Sequence, residues 1–465
     1  MDIAKTRAMM LLIGPMLGIA TYLLSSDSGL AHEAAATAAI TVWVGSWWIF
    51  EPIPIPATSL IPFAAFPLAG VLPNKVVAQA YGHWLILLLL GGFILSTAME
   101  RCGVHRRIAM GMIRLVGGRS PKRLILGIML ATGLLSGWIS NTATTLMMLP
   151  VVVALCQELP GPRSVRAMLL GLAYSASIGG IATPIGTPPN VILMGVYEET
   201  TGNTIGFLDW MALGVPIAFS LLFLAWLYLT RKVETSQMEK SEEAIPDLGP
   251  MRVYEKRVLV VFALTAIAWM TRAQPLGGWS EALGLTTVGD DTVALTAAAL
   301  LFIIPNGEER GGKLLDWETA SKIPWGLLIL FGGGIAIAKA FGSSGLSQAI
   351  GDSLDALTTL PMMFMVGLIC LTVTFLTEVT SNTATTTLLM PILATTAIAA
   401  NLDPLALMVP AAMSASCAFM LPVATAPNAI VFGSSQITTR EMAQTGFALN
   451  LIGAGVITLG CLLWL

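Results

Sequence analysis

One polar block occurs twice inside apolar sequence, and it limits the fold more than any other feature. WISNTATTLMMLP at 138–150 returns as VTSNTATTTLLMP at 379–391, 241 residues later, with SNTATT and the closing proline kept. Two further blocks repeat in the same order. WLILLLLGGFILSTAMERCG at 84–103 resembles WGLLILFGGGIAIAKAFGSSG at 325–345, and SASIGGIATPIGTPPN at 175–190 pairs with SASCAFMLPVATAPN at 414–428. Chance similarity between apolar stretches would not hold their polar residues in register. The chain is therefore an internal duplication, and its two halves should repeat one fold.

The solvent of that fold is lipid. Charged residues make up 11% of the 465 and hydrophobic residues 55%, where a soluble domain carries roughly 25% charged. So few charges cannot cover a water-facing surface of this size. Disordered, coiled-coil and nucleic-acid-binding proteins are excluded with the soluble ones, and the net charge of −3 gives no basic excess. Cys102, Cys156, Cys370, Cys417 and Cys461 form no CxxC pair and read as small packing residues. Lys5 and Arg7 before the apolar run 9–24 resemble a signal peptide. Because the rest of the chain is also apolar, this run is expected to stay as an uncleaved first membrane helix.

Eleven apolar stretches read as crossings: 8–25, 35–50, 57–72, 84–100, 165–196, 208–230, 256–272, 290–304, 324–341, 404–433 and 443–465. With the N-terminus in the cytoplasm, 21 of the 24 lysines and arginines fall on the cytoplasmic side, as the positive-inside rule requires. The C-terminus is then periplasmic or extracellular, and the setting a bacterial inner (plasma) membrane. Span 84–100 runs inward and its partner 324–341 outward. The stretch 101–123 after the first carries seven basic residues and its counterpart 342–360 none. The repeats are thus inverted, an architecture secondary transporters use for alternating access around a midplane site. The expected divisions are an N-terminal membrane helix (1–34), a first repeat (35–230), a polar cytoplasmic linker (231–257) and a second, inverted repeat (258–465).

Two stretches do not fit as crossings. Residues 124–158 as one helix would be about 52 Å long, against a hydrocarbon core of about 30 Å. Split at Ser140-Asn141-Thr142, each arm is too short to span, so the segment is expected to be a re-entrant hairpin; 361–400 is the same from the opposite side, turning at Ser381-Asn382-Thr383. Irregular backbone at that depth is tolerated only within protein or against a water-filled cavity. The third repeated block adds prolines inside a span, so unwound helix is expected at 182–190 and 421–428. The fold class is an all-α polytopic membrane protein with about eleven transmembrane helices and two opposed re-entrant hairpins.

The polar residues at depth are Ser, Thr and Asn, without Lys, Arg or His. Hydroxyl, amide and freed carbonyl oxygens suit a hard monovalent cation and not zinc or copper. Helix N-termini at the hairpin turns attract anions. A bound dianion would have its charge offset by those termini and by co-bound cations, which couples the two.

With these residues in view, the chain resembles the divalent anion–sodium symporter family, over essentially its whole length. The paired SNT turns and the GTPPN and ATAPN breaks carry the resemblance. It implies an elevator-type homodimer with scaffold and transport domains, carrying succinate, malate, fumarate and sometimes citrate with two or more sodium ions and no organic cofactor. It further implies a first sodium site of Ser136, Ser140, Asn141 and the carbonyl around Gly186, and a second of Thr377, Ser381, Asn382 and the carbonyl around Ala424. Substrate carboxylates are expected on Asn141, Thr142, Thr187, Ser381, Asn382, Thr383 and Thr425. The alternatives are a sodium-independent dicarboxylate exchanger and a sodium-coupled carrier of citrate or sulfate.

Blander roles are expected for other polar residues. Glu378 precedes the second turn where the first repeat has Gly137, and that asymmetry favours a structural role bonding backbone amides. His32, His83 and His105 sit at span ends and fit interfacial packing. Gly91-Gly92 and Gly332-Gly333-Gly334 fit close helix packing. The basic stretch 101–123 serves topology or anionic lipid. A channel would lack alternating access, and no nucleophile–base pair or GxSxG, HExxH or Walker pattern supports an enzyme.

Overall fold

The computed structural model describes residues 3–116, 120–233, 248–273, 277–308, 311–353 and 361–464. The first half holds α1 (Ile3–Asp27), α2 (His32–Phe50), α3 (Ile55–Thr58), α4 (Ile61–Leu68), α5 (Asn74–Tyr81) and α6 (Trp84–Cys102). It continues with α7 (Val104–Val116), α8 (Pro121–Ser136), α9 (Asn141–Cys156), α10 (Gly161–Gly180), α11 (Pro188–Thr201) and α12 (Phe207–Thr230). The second half begins with α13 (Val253–Thr271), α14 (Trp279–Ala282), α15 (Asp290–Ile303), α16 (Trp317–Ala320), α17 (Trp325–Ser343) and α18 (Leu346–Ser353). It ends with α19 (Met362–Leu376), α20 (Asn382–Ala399), α21 (Leu405–Ala415), α22 (Ala426–Phe432) and α23 (Thr439–Trp464). Apart from one bridge between Pro305 and Lys313, the described residues are helices and their connections. Most of the 231–257 linker (234–247) lies outside the described residues, as does 354–360 of the stretch after α17.

Among the described residues, five helical stretches are long and apolar enough to cross a membrane alone: Met9–Asp27, Asn74–Cys102, Phe207–Thr230, Trp325–Ser343 and Thr439–Trp464. Large apolar side chains such as Phe219, Val260, Leu264 and Leu459 stay exposed on the helix surfaces, as lipid-facing residues do. The stretch expected as one crossing at 57–72 is instead α3 and α4, with Pro54, Pro56, Pro62 and Pro67 in or beside them. Proline removes an amide donor and forces the preceding turn apart, so no single long helix forms there.

The helices at the two breaks also differ from expectation in position. Residues 181–187 separate α10 from α11, and 416–425 separate α21 from α22. The breaks end sooner than the proline positions imply, because Pro188, Pro189 and Pro427 occupy the first two positions of α11 and α22. There the missing amide costs nothing and the fixed φ suits the helix. Pro184 and Pro422 remain within the breaks.

The halves interlock. Helix α9 of the first half packs on α22 of the second, and α20 of the second packs on α11 of the first. Helices α8, α9 and α10 form one layer of this core, and α19, α20 and α21 its counterpart. Close approach uses small residues: a Cβ on Gly91 would lie 2.6 Å from Ala294 Cβ, and one on Gly333 2.8 Å from the Ser59 carbonyl oxygen. All five cysteines are buried as free thiols.

Candidate binding site at the two helix turns

Each short hairpin is built the same way. Helix α8 ends at Ser136, four residues turn, and α9 begins at Asn141; α19 ends at Leu376, Thr377 caps it, and α20 begins at Asn382. At about 1.5 Å per residue these helices are roughly 22–27 Å long, shorter than a hydrocarbon core. Ser140 and Ser381 are the N-caps, accepting from the amides of Ala143 at 3.4 Å and Ala384 at 3.5 Å.

Behind each cap the same polar contact recurs. The Ser136 hydroxyl lies 2.5 Å from Asn141 Oδ1 and 2.7 Å from the Ala176 carbonyl oxygen. The Thr377 hydroxyl lies 2.7 Å from Asn382 Oδ1 and 3.1 Å from the Ala415 carbonyl oxygen. A hydroxyl carries one proton, so each trio holds more acceptors than donors. The first trio is enriched further by the broken helix beside it. A Cβ on Gly186 would lie 2.5 Å from the Gly180 carbonyl oxygen and 3.1 Å from that of Gly137, and one on Gly180 2.9 Å from Asn141 Oδ1. Glycine at 180 and 186 is what lets these oxygens crowd together. An oxygen cluster short of protons fits a hard monovalent cation.

Two asparagines that the sequence reading did not assign brace the breaks. Asn190 Nδ2 donates to the carbonyls of Gly180 at 3.0 Å and Thr183 at 2.8 Å. Asn428 Nδ2 donates to those of Ala418 and Leu421, both at 3.0 Å. They are the last residues of the GTPPN and ATAPN motifs, and their matched positions in the repeat were the available signal.

Glu378 answers the asymmetry of the second turn. Its Oε1 accepts from the amides of Phe419 at 2.7 Å and Met420 at 2.9 Å and from Asn450 Nδ2 at 2.7 Å; its Oε2 accepts from the Leu421 amide at 3.0 Å. The carboxylate thus holds the middle of the second break, as expected for a residue bonding backbone amides. In the first half the Thr183 hydroxyl reaches the Gly137 carbonyl instead.

Both turns and both breaks open on one cavity of about 810 Å³. Ten of the twelve expected site residues line it: Ser140, Asn141, Thr142, Gly186, Thr187, Ser381, Asn382, Thr383, Ala424 and Thr425. Ser136 and Thr377 stand behind it, fully buried, and reach it through the two asparagines. Helices α9, α11, α17 and α20 and the short α22 all begin at its wall, so several positive dipole ends meet there. Ser96, Thr97 and Glu100 of α6 and Glu51 add to the lining. Among the described residues, Lys322 is the one Lys, Arg or His in it. His83, His105 and His32 lie elsewhere: His83 caps α6 and faces Glu198 and Glu199, His105 bonds the Met99 carbonyl at 2.6 Å, and His32 bonds Tyr22.

Comparison with known proteins places the chain. The CitMHS family, described as a citrate transporter, matches residues 46–409. The sodium-dependent dicarboxylate transporter SdcS of Staphylococcus saprophyticus is 43% identical over 97% of this chain and 89% of its own length. Its counterpart in Staphylococcus aureus is 42% identical over the same shares. Among solved structures, the Alcanivorax borkumensis YdaH transporter resembles it with a TM-score of 0.59 at 13% identity, covering 82% of this chain and 85% of that one. MtrF of Neisseria gonorrhoeae resembles it with a TM-score of 0.58 at 12% identity, covering 94% and 96%; both likenesses concern the fold. The chain is a multi-pass membrane protein of a transporter family and not an enzyme. It belongs to the sodium-dependent dicarboxylate transporters, the divalent anion–sodium symporter family that its duplicated motifs resemble.

Proposed function

We propose that this protein carries C4-dicarboxylates such as succinate, malate and fumarate into the cell together with sodium, by alternating access. The carrying observation is the pair of symmetry-related oxygen clusters, Ser136–Asn141 and Thr377–Asn382, set behind a single cavity walled by helix N-termini. Sodium occupies the two clusters, completed by the carbonyls near Gly186 and Ala424. The dicarboxylate lies between the turns, each carboxylate on one Asn-Thr pair, with Thr187 and Thr425 beside them.

Magnitudes explain why the cation is required. A helix N-terminus is worth about 0.3–1 kcal/mol to an anion, at most about 2. A sodium ion about 5 Å from a carboxylate contributes about 3 kcal/mol at an effective dielectric near 20, a factor of more than 100 in affinity. Helix ends, with one lysine in a lining that also holds Glu51 and Glu100, therefore leave a dianion weakly held, and sodium makes the difference. The names of the staphylococcal relatives support the same pairing of sodium with dicarboxylate.

The hairpins α8–α9 and α19–α20 are re-entrant, the chain crosses an inner membrane eleven times with its N-terminus in the cytoplasm, the stretch 57–72 crossing as the paired short helices α3 and α4, and it works as a homodimer. Each protomer divides into a scaffold and a transport domain that moves like an elevator. A second reading, citrate as the carried anion, is favoured by the description of the matching family and by a cavity of about 810 Å³. The test is uptake of radiolabelled succinate into proteoliposomes with an inward sodium gradient or with potassium in its place. Uptake only with sodium is expected. Uptake in potassium that needs preloaded dicarboxylate would make the protein an exchanger. Sodium-driven uptake of citrate or sulfate but not succinate would replace the substrate.

A further inference from the structure

A second cleft, of about 350 Å³, lies where the start of α10, the end of α12 and the start of α23 meet, and it shares no lining residue with the first. Arg163, Arg166, Arg231 and Lys232 line it, with Leu170 and Leu229 as apolar neighbours. Arg166 is bridged to Glu441, and the Arg231 guanidinium sits over the Tyr228 ring, 3.8 Å from its centroid. Among the described residues no carboxylate pairs with Arg163, Arg231 or Lys232.

We propose that this cleft binds the phosphodiester headgroup of an anionic phospholipid. A topology signal asks only that basic residues lie on one side of the membrane; it does not ask that four of them, from two separate segments, converge on one concavity. The local chemistry also departs from what the helices alone prefer. Arg163 and Arg166 stand in the first two turns of α10, close to the positive end of its dipole, where cations are disfavoured and an anion is welcome. Planar guanidinium groups suit the paired oxygens of a phosphate. The cleft sits at the ends of α12 and α23, two of the helices long enough to cross the bilayer, which is headgroup level. Leu170 and Leu229 offer the apolar side an acyl chain would follow. That the lipid is in the cytoplasmic leaflet rests on the orientation proposed above; the binding itself does not.

The test compares three purified proteins in mild detergent: wild type, R163Q/R231Q/K232Q in the cleft, and R106Q/R123Q elsewhere on the basic face. Retained lipid is counted by native mass spectrometry, and melting is followed with added phosphatidylglycerol, phosphatidylcholine or inorganic phosphate. Phosphatidylglycerol should raise the melting temperature of wild type and phosphatidylcholine should not. The cleft variant should retain at least fivefold less phosphatidylglycerol and lose the shift, while melting like wild type without added lipid; R106Q/R123Q should keep both. Equal retention in the cleft variant, or equal loss in R106Q/R123Q, would overturn the site. A shift with inorganic phosphate as large as that with phosphatidylglycerol, lost in the cleft variant, would overturn the lipid and leave a soluble phosphate as ligand. None of these readouts depends on transport or on which face of the membrane the cleft occupies.

Discussion

At the scale of single residues, the two asparagines at the helix turns carry the proposal. Each amide oxygen is shared with a buried hydroxyl, and each side chain lines the cavity. Asn141→Ala or Asn382→Ala should lower sodium-driven uptake at least tenfold while the melting temperature falls little, because the site faces a cavity and not packed core. Full uptake in both variants would remove the site assignment. Glu378 behaves differently. Hydrogen bonds to a charged group are worth about 1.5–3 kcal/mol each, and this carboxylate accepts three from backbone amides. Glu378→Leu should therefore destabilise by about 3 kcal/mol or more, read as a large fall in melting temperature, and Glu378→Gln by less. A Gln variant that melts like wild type but cannot transport would show that Glu378 acts on the cargo. The SNT residues were legible in the sequence because polar groups are costly inside lipid and these occur twice in register. The Asn190 and Asn428 braces escaped notice, since an asparagine beside prolines reads as part of a break and its acceptors are set only by the folded backbone.

At the scale of elements, the site depends on helices held closer than ordinary side chains permit. A Cβ on Gly179 of α10 would collide with the Gly133 carbonyl oxygen of α8. Gly179→Ala must push the arm of the first hairpin away. Overpacking of this kind costs about 1–3 kcal/mol or more, so both melting temperature and uptake should fall. Gly111→Ala on α7, with nothing within 4 Å of the added Cβ, should be neutral or slightly stabilising through helix propensity. Equal effects at the two positions would contradict the packing argument. The short helices were legible from length alone, because a 35-residue apolar run is too long for one crossing. The division of 57–72 into α3 and α4 was not: apolarity suggested one unbroken span, and the prolines split it into two short helices. The ends of the breaks were misplaced for a related reason, since proline interrupts a helix from within but starts one readily.

At the scale of the whole molecule, the halves share one cavity because each half's short helices pack on the other's broken helix. No local sequence signal reports such cross-packing; the duplication only makes it available. Away from the cavity, Glu199 near the end of α11 meets Lys339 of α17 at 3.2 Å and His83 at the start of α6 at 3.5 Å. If α11 moves against α6 and α17 during transport, these contacts must break in every cycle. A partly exposed pair of this kind is worth up to about 1 kcal/mol, so Glu199→Gln should change the turnover rate a few-fold and leave the apparent affinities for succinate and sodium alone. An unchanged turnover would argue that α11 and its neighbours travel together.

The central claim is that sodium, bound behind the turns, supplies the charge that lets a dianion bind between them. Equilibrium binding of radiolabelled succinate to the purified protein, measured across sodium concentration with choline as the replacement cation, tests it most directly. The account predicts negligible binding in choline, a steeper than hyperbolic rise with sodium, and loss of that rise in both Asn141→Ala and Asn382→Ala. Binding of equal strength in choline and in sodium would contradict it.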